Sequence, residues 1–320
     1  MSTRLAFEAL PLKEDHPPYS AWGLYGEHDE LGSLNLLTQE TVLAAKSEIE
    51  TGTTISLNLP LNVPIAPMNP DRGAFKHRFI VKPFSNDDEA VVNTQSSSQW
   101  DGLRHLPYQA SKMFYGGFTQ DDISGPAPTT RGGVHNLARK AIAGRGVLLD
   151  FRSWANNHGI HYDAFSTYRI TLDQLLKCAE EQGTEFRVGD ILLIRSGWVE
   201  DYYRRSHEER LALGGRAERT FAGVENSLEI AKWHWETRFA AVAGDTNAYE
   251  AWPPERSSSL KHALHEVFLS GWGMPIGELW NMEELAAECK RRQKWSFFLT
   301  SQPLDIPGGV ASPCNAMAVF

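Results

Sequence analysis

Three short apolar runs recur along the second half of the chain: Gly146–Phe151 (GVLLDF), Asp190–Arg195 (DILLIR) and Phe239–Gly244 (FAAVAG). Runs of this kind are typical of strands that are buried on both faces of a sheet. Between the first two runs, Thr171–Gln182 is predicted to be a helix, because it begins with TLDQ, the capping-box spacing, and a glycine follows its last residue. Since strands alternate with helices, the sequence predicts an α/β layer architecture with a largely buried sheet.

The other elements are predicted from periodicity and from turn residues. Further helices are expected at Thr38–Glu50, Glu225–Glu236, Leu260–Leu269 and Met282–Arg292, and further strands at Thr53–Leu59, Arg78–Lys82, Ala90–Thr94, Trp295–Leu299 and Ala316–Phe320. The polar segment Ser85–Asp88 is predicted to be the turn between the second and third of these strands. Residues 1–37, rich in Pro, Gly and acidic residues, are predicted to be an extended arm, and residues 118–134 a long loop.

The composition limits the classes of partner. The 320-residue chain is 42% hydrophobic and 22% charged and has a formal net charge of −9, so no basic surface is expected to bind a nucleic acid. No segment has the apolar length of a membrane span, and the first residues lack the apolar stretch of a signal peptide. The cysteines, Cys178, Cys289 and Cys314, form no CxxC pair, which fits a reducing compartment. The sequence therefore predicts a soluble cytoplasmic protein that binds neither nucleic acid nor membrane.

Polar residues follow each of the three buried runs: Asp150 and Arg152, Arg195 and Ser196, and Asp245 and Thr246. In open α/β sheets ligands bind outside the carboxyl ends of the strands, so these residues can line a cleft. Alternatively, they cap the strands and pair with one another. The second interpretation is favoured because the chain lacks GxGxxG, GxxxxGK[ST] and GxSxG, which also argues against nucleotide binding and a nucleophile-elbow hydrolase.

The densest polar segment is residues 93–105, NTQSSSQWDGLRH. If it stays extended, Gln95, Ser97, Gln99 and Asp101 lie on one side, next to His105. Four polar groups on one face form either a binding wall or a hydrogen-bonded polar turn, since Ser, Asn and Asp are common in loops. Composition alone does not choose between these two interpretations.

The sequence QSSSQWDGLRH resembles the signature of the putative cyclase family, which includes bacterial kynurenine formamidase and isatin hydrolase. The family's metal-binding form reads HxGTHxDxPxH. Its two early histidines and its aspartate bind zinc or manganese, and its last histidine lies in the catalytic pocket. In this chain those four positions are occupied by Gln95, Gln99, Asp101 and His105, while Ser98 stands at the Thr position and Leu103 at the Pro position. A QWD core is familiar from one branch of the family, so the chain resembles a subgroup.

Other segments extend the resemblance over about residues 20 to 320. Trp22-Gly23 and residues 29–35 (DELGSLN) are similar to the family's N-terminal element, and residues 142–150 and 189–197 to two of its strands. Leu264–Val267 and Gly277–Trp280 resemble the element that supplies a further histidine and glutamate, here His265 and Glu278.

The resemblance implies a swivelling β/β/α-type fold, with a mixed central sheet, flanking helices and a single catalytic domain over residues 38–320. It also implies a homodimer or homotetramer, in which the arm of residues 1–37 crosses to a neighbouring subunit.

Two of the family's imidazoles are replaced by carboxamides in this chain, and a carboxamide offers a metal only a neutral oxygen. The ligands of one divalent metal, manganese or zinc, are predicted to be Asp101, His265, Glu278 and Gln99. His105 is predicted to transfer protons, together with Asp101 and Glu278. The substrate is predicted to contact Gln95, Ser98, Gln99 and Trp100. His262 lies three residues before His265, a spacing compatible with metal ligation, but the resemblance supports His265 alone.

The preferred function is a metal-dependent hydrolase of an amide, lactam or lactone bond in a small cyclic or aromatic metabolite. One alternative is a metal-free cyclase, isomerase or dehydratase of secondary metabolism that uses acid–base chemistry at His105. Another is a catalytically inactive protein that binds a small molecule. The altered motif argues against hydrolysis of N-formylkynurenine itself.

Overall fold

A nine-stranded mixed sheet forms the centre of the computed structural model, which describes residues 5–255 and 259–320. The strands of these ranges are β1 (Thr54–Ser56), β2 (Lys76–Val81), β3 (Asn86–Val91), β4 (Gln99–Asp101), β5 (Ile142–Leu149), β6 (Arg169–Ile170), β7 (Ile191–Ile194), β8 (Gly223–Val224), β9 (Ala241–Gly244), β10 (Ile276–Glu278), β11 (Ser296–Ser301), β12 (Ala311–Pro313) and β13 (Ala316–Val319). In the order β1-β13-β11-β5-β7-β9-β10-β4-β12, the strands from β5 to β10 are parallel and antiparallel strands flank them. The predicted α/β fold with a mixed sheet is confirmed.

Helices cover both faces of this sheet. They are α1 (Gln39–Ala45), α2 (Gln120–Ser124), α3 (His135–Lys140), α4 (Phe151–Asn157), α5 (Leu172–Gln182), α6 (Trp198–Arg204), α7 (His207–Gly214), α8 (Leu228–Thr237), α9 (Glu283–Arg292) and a π-helical segment, Glu266–Trp272. Since side chains alternate along a strand, Leu192 and Ile194 of β7 pack with α5 and α8, whereas Ile191 and Leu193 pack with α9. None of the helices in the described ranges has the length and apolar character needed to cross a membrane.

The best-predicted helix is α5. Its cap residue Thr171 accepts a hydrogen bond from the backbone of Gln174 at 3.3 Å, and the Gln174 side chain accepts one from the backbone of Thr171 at 3.1 Å. Gly183 ends the helix in the left-handed conformation, with φ of 63°. The predicted capping box and stop signal are therefore both confirmed.

The predicted turn at Ser85–Asp88 is wrong. Strand β3 already begins at Asn86 and pairs along its length with β2 in an antiparallel hairpin. Ion pairs across the hairpin, such as Arg78 with Glu89, place charged residues inside both strands. These residues lack the alternation of apolar and polar side chains that is typical of a strand, so their sequence resembles a turn.

The predicted helix at Leu260–Leu269 begins too early, because helical structure starts only at Leu264 and becomes π-helical at Glu266. Two side chains occupy the preceding backbone donors. Asn226 Oδ1 accepts from the backbone of Leu264 at 2.8 Å, and Glu266 Oε1 accepts from that of Ala263 at 3.1 Å. These bonds satisfy the first amides of the segment in place of a regular helical turn.

The described part of the N-terminal arm, residues 5–37, lies along the body of its own chain. Trp22 Nε1 donates to the Ser270 carbonyl at 2.6 Å, and Phe7 is buried in the core. A Cβ on Gly32 would lie 2.3 Å from the Gly273 carbonyl oxygen, so only glycine permits this close approach. A contact between the arm and a neighbouring subunit stays a prediction.

The polar residues at the strand ends pair with one another. Asp150 and Arg195 form an ion pair of 2.9 Å, and Arg152 pairs with acidic residues of α6. Asp245 accepts hydrogen bonds from the backbone and hydroxyl of Ser196 at 2.6 and 2.7 Å. The favoured interpretation, that these residues cap strands and pair with one another, is confirmed.

Candidate active site

Strands β4 and β10 build the floor of the candidate site. They run antiparallel, and their register places Gln99 directly opposite Glu278. Cross-strand partners, and residues two apart on a strand, share one face, so Gln99, Asp101 and Glu278 point to the same side. Gln99 Nε2 accordingly lies 3.0 Å from Glu278 Oε2 and 3.1 Å from Asp101 Oδ1. Sheet register thus joins the QWD segment to a glutamate far along the chain.

His265, just before the π-helical segment, lies among three carboxylates. Its Nε2 is 3.0 Å from Glu278 Oε1 and 3.5 Å from Asp101 Oδ2. On the other side of the ring, Nδ1 donates to Glu250 Oε2 at 2.5 Å. Glu250 Oε1 also accepts from the backbone of His265 at 3.3 Å. Glu250 therefore fixes the orientation of the ring and keeps a proton on Nδ1, so that Nε2 points at the other two carboxylates.

Gln95 lies beside this cluster. Its Oε1 accepts from Gln99 Nε2 at 2.7 Å and from Arg72 Nη2 at 3.3 Å. Arg72 also donates through Nη1 to the backbone carbonyl of Gln95. Arg72, Gln95 and Gln99 thus form a chain of hydrogen bonds from the edge of the cavity to the buried carboxylates.

His105 is the site histidine that remains open to the cavity, with 21% of its side chain exposed. Its Nε2 lies 3.8 Å from Asp101 Oδ2, and its ring centre is 6.2 Å from that of His265. His105 is therefore within reach of a ligand in the cavity while it stays close to the Asp101 carboxylate.

The close packing of these groups shifts their pKa values. Burial opposes ionisation of Asp101, but His105 and His265 outweigh that effect and lower its pKa to about 2. Burial, followed by the charge of Asp101, raises the pKa of Glu278 to about 7. Burial disfavours charged His265, but Glu250, Asp101 and Glu278 together raise its pKa well above the ordinary value. For His105, burial dominates and lowers the pKa despite Asp101. At neutral pH His105 is therefore an uncharged imidazole beside an anionic carboxylate, which suits a proton acceptor.

The donor set fits a divalent cation. Two carboxylate oxygens, Asp101 Oδ2 and Glu278 Oε1, face the ring nitrogen Nε2 of His265, so a positive charge, either a proton or a metal ion, is needed between them. Within the described residues, the buried atoms Asp101 Oδ2 and Gln99 Oε1 make no hydrogen bond. Ligand atoms of Asp101, His105 and His265 also lie within 4.8 Å of one another. The Nδ1 contact to Glu250 is the outer carboxylate contact typical of metal-bound histidines.

A cavity of about 640 Å³ lies beside this cluster. Four residues of the site, His105, Glu250, His265 and Glu278, line it. The rest of its lining includes aromatic, amide and cationic side chains, among them Phe221, Trp252, Asn69, Asn247, Arg219 and Lys261. A cavity of this size accepts one small organic molecule.

Two residues that the sequence places at the substrate lie elsewhere. Trp100 is fully buried on the opposite face of β4, where it packs edge-to-face on Trp280 and donates to Ser301 Oγ at 2.8 Å. Ser98 is also buried, and its hydroxyl bonds to the backbones of Leu59 and Leu279. Strand alternation turns both side chains away from Gln99 and Asp101, so their positions do not support contact with a substrate.

Two residues of the site are missed by sequence reasoning. Glu250 lies in the loop after β9, and Arg72 in the loop before β2. The polar residues that follow the third apolar run point to the first of these loops, but only the fold brings Glu250 to His265. His262 lies at the wall of the cavity, where its Nδ1 is 3.5 Å from Glu266.

Comparisons with known proteins agree with this architecture. A solved structure described as a novel cyclase shares 32% sequence identity, with a TM-score of 0.81, and covers 94% of this chain and 99% of its own. Isatin hydrolase A from Labrenzia aggregata, bound to benzyl benzoate, is 17% identical, with a TM-score of 0.57 and coverage of 89% and 98%. Isatin hydrolase A from Ralstonia solanacearum is also 17% identical, with a TM-score of 0.55 and coverage of 88% and 98%.

Comparisons of sequence identify the family of this chain. A search of curated proteins found no match. The sequence model described as "Putative cyclase" matches residues 29–251, more than half of the chain. With the 32% identity over nearly the whole length of the solved cyclase structure, this match confirms the resemblance of the QWD segment: the chain belongs to the putative cyclase family.

Proposed function

We propose that this chain is a metal-dependent hydrolase that cleaves an amide, lactam or lactone bond in a small cyclic or aromatic metabolite. The observation that carries the proposal is the position of His265 Nε2, 3.5 Å from Asp101 Oδ2 and 3.0 Å from Glu278 Oε1, beside the cavity that His105 faces. The description of structural neighbours as isatin hydrolases supports the same class of reaction.

Asp101, Glu278 and His265 would hold the metal, with Gln99 Oε1 as a neutral fourth ligand. Two carboxylates, one imidazole and one carboxamide oxygen suit manganese or zinc. When bound, such a metal supplies Lewis-acid chemistry, since it polarises a carbonyl group and lowers the pKa of water. Glu250 supports this site by holding Nδ1 of His265, which leaves Nε2 as the coordinating nitrogen.

His105 would act as the general base. As the water oxygen bonds to the carbonyl carbon of the substrate, Nε2 of His105 takes the water proton, and Asp101 at 3.8 Å stabilises the imidazolium that forms. His105 then returns the proton to the departing nitrogen or oxygen as its bond to carbon breaks. The products are a carboxylic acid and an amine or alcohol, which remain in one molecule if the substrate is cyclic.

The cavity supports a small aromatic or cyclic substrate. Its volume of about 640 Å³ is that of a site for one small ligand. Phe221 and Trp252 offer flat apolar surfaces to a ring, and Asn69 and Asn247 offer amide groups to its polar substituents. We also propose a cytoplasmic location, which the free thiols of Cys178, Cys289 and Cys314 support.

The reaction class is tested with a panel of aromatic lactams, lactones and formamides in water enriched with oxygen-18. Hydrolysis predicts one labelled oxygen in the carboxylic acid product, together with loss of turnover in His105→Gln. Exposed His161→Gln serves as the matched control and is expected to keep full activity. Turnover without label in the product would contradict hydrolysis.

A metal-free cyclase, isomerase or dehydratase is the second candidate, and one observation favours it. Gln99 Nε2 bonds to Gln95, Asp101 and Glu278, so the positions of the family's two early histidines belong to a hydrogen-bonded network. In that reaction Gln95 and Gln99 would hydrogen-bond a substrate carbonyl, and His105 would move a proton. Unlabelled product formed equally well after treatment with a chelator would support this candidate. Ligand binding without turnover of any compound would instead support an inactive binding protein.

A further inference from the structure

A second cavity, of about 400 Å³, lies between the N-terminal arm and the end of α8. None of the described residues that line it also lines the cavity beside His105. Its lining comes from the arm, the start of α1, the last turn of α8 and the end of the π-helical segment. Thr38 and Val188 of this lining are exposed, so the cavity is open to solvent on their side. Its volume falls within the range of sites for small organic ligands.

Two indole rings form a rigid aromatic wall in the second cavity. The rings of Trp235 and Trp272 pack together, with 5.3 Å between their centres. Trp235 Nε1 donates to the Leu5 carbonyl at 2.8 Å, and Trp272 Nε1 donates to the Tyr19 carbonyl at 2.9 Å. The polar atom of each indole is therefore occupied, and the surface left for a ligand is apolar. The rest of the apolar lining includes Leu24, Leu36, Phe239 and Met274. A wall of this kind suits the ring of an aromatic ligand.

Several polar side chains of the lining are already hydrogen-bonded within the protein. Ser33 Oγ donates to a backbone carbonyl at 2.7 Å, and Thr41 Oγ1 donates to another at 3.0 Å. Both ring nitrogens of His234 make hydrogen bonds of 2.8 Å. These groups have little further capacity to bond a ligand. A ligand in the second cavity is therefore recognised by polar groups that have no partner in the protein.

Two donors of the lining have no such partner. Within the part of the chain that the structure describes, neither the Tyr25 hydroxyl nor the Arg238 guanidinium makes a hydrogen bond or an ion pair. Burial raises the pKa of Tyr25 to about 12 although the charge of Arg238 opposes the rise, which places the guanidinium near the hydroxyl. The phenol therefore keeps its proton at neutral pH and can donate it to an acceptor. The two groups together present one positive charge and several donors to the cavity.

The carboxylate of Asp29, which also acts on the phenol, is bonded elsewhere. Its Oδ2 accepts from the backbone of Gly32 at 2.7 Å and from the Tyr115 hydroxyl at 2.9 Å. Its Oδ1 accepts from Asn35 Nδ2 at 2.7 Å. No acidic side chain of the described residues lines the second cavity. The guanidinium and the phenol therefore lack an acceptor there, and a ligand in the cavity is in position to supply one.

We propose that the second cavity binds a small aromatic carboxylate. Its carboxylate group accepts hydrogen bonds from Arg238 and Tyr25, and its ring lies against Trp235 and Trp272. The planar guanidinium matches the two oxygens of a carboxylate, and its single charge balances the single charge of that group. A phosphate group, with more oxygens and more charge, would need further donors. This site goes beyond the proposed hydrolase and does not depend on the reaction at His105.

Isothermal titration calorimetry tests the proposal with indole-3-acetate as the probe and its neutral amide, indole-3-acetamide, as the comparison. Wild-type protein is expected to bind the acid at least about tenfold more tightly than the amide, because only the acid pairs with a charge. In Arg238→Asn the Kd of the acid is expected to rise to that of the amide. Asparagine tolerates the left-handed backbone of this position, where φ is 62°, so the variant should keep the wild-type circular dichroism spectrum. Absence of binding, equal Kd values for acid and amide in the wild type, or an unchanged Kd for the acid in Arg238→Asn would overturn the proposal.

Two further variants locate the bound probe. Arg219→Asn removes an exposed cation that lines the cavity beside His105, and it is expected to leave the Kd of the acid unchanged. Val188→Trp places a large side chain on the open side of the second cavity, where the valine is 46% exposed. It is expected to weaken binding of the acid although Arg238 is retained. Binding that is lost in Arg219→Asn, or that is unchanged in Val188→Trp, would place the probe elsewhere and overturn the proposal.

Discussion

Gln99 and Glu278 lie directly opposite each other on adjacent antiparallel strands, and Gln99 Nε2 donates to Glu278 Oε2 at 3.0 Å. This pairing brings together two segments that are far apart in sequence and sets Asp101 beside both of them. His265 and Glu250 then complete a buried cluster of acids and one imidazole. The chemistry proposed for the chain follows from that cluster and from His105, which faces the cavity beside it.

Glu250 is expected to be essential for metal affinity although it is not a ligand. In Glu250→Gln, the charged acceptor of His265 Nδ1 is lost, and the ring becomes a weaker ligand. Loss of such a partner weakens metal binding by about 10- to 100-fold. Competition with a chromophoric chelator measures the effect. The control is Glu255→Gln, a cavity residue that pairs with Arg169 at 3.7 Å, and an equal loss of affinity in both variants would argue against the role of Glu250.

His105 is expected to act in catalysis without holding the metal. His105→Asn is predicted to lower kcat by about 10²- to 10⁴-fold, since the general base is gone, while the metal content stays at the wild-type value. Steady-state kinetics and elemental analysis of one preparation separate the two effects. Loss of the metal together with activity would show that His105 is a ligand instead.

Substitutions of Trp100 and Trp252 compare a tryptophan of the core with a tryptophan of the cavity wall. Trp100→Phe removes a buried indole and its hydrogen bond to Ser301, so it is expected to cost about 1–3 kcal/mol of unfolding free energy with little change in KM. Trp252→Phe changes the cavity wall and is expected to raise KM about fivefold, equivalent to roughly 1 kcal/mol, with little change in stability. Urea unfolding and kinetics of both variants distinguish them, and the reverse pattern would place Trp100 at the substrate.

His234 is expected to make stability depend on pH. Its Nδ1 donates to the Ile230 carbonyl and its Nε2 accepts from the Tyr249 hydroxyl, both at 2.8 Å, and burial lowers its pKa from 6.5 to about 3. Between pH 6.5 and about pH 3 the unfolded chain binds more protons than the folded one. The contribution of His234 to the free energy of unfolding is therefore complete above pH 6.5. It is lost as the pH falls through this range, by at most roughly 1.4 kcal/mol per pH unit.

Urea unfolding across this pH range measures the effect. The His234→Gln variant is expected to be less stable near neutrality and to lose less stability on acidification than the wild type. Exposed His161→Gln serves as the control and should follow the wild-type profile. Parallel profiles for the wild type and His234→Gln would refute the assignment.

The sheet and α5 could be predicted from sequence because local patterns determine them. The apolar runs at β5, β7 and β9 match buried strands, and the TLDQ segment forms the expected capping box. The start of β3 differs from the prediction because charged residues of the hairpin pair across its strands, and this pairing depends on register rather than on composition. The start of the helix near Leu264 cannot be predicted from local sequence, because the backbone amide of Leu264 donates to the side chain of Asn226 in a distant loop.

The candidate site could be predicted only as far as the family signature extends. The signature supplies Gln95, Gln99, Asp101 and His105, and the structure brings the first three into one hydrogen-bonded group. It does not supply Glu250, whose contact with His265 arises from the packing of two loops. Nor does it show that Trp100 faces the core, since a three-residue strand is too short for its alternation to be recognised from sequence.

The central claim, that Asp101 and its neighbours hold one divalent metal, is tested most directly by elemental analysis of protein purified without a metal-affinity tag. Wild-type protein is predicted to carry about one equivalent of manganese or zinc, and Asp101→Asn to carry almost none. Asp305→Asn, an exposed carboxylate paired with Arg139, is the control and should keep the wild-type content. Wild-type protein without metal, and with no gain in activity when manganese or zinc is added, would contradict the claim and leave acid–base chemistry at His105 as the function of the site.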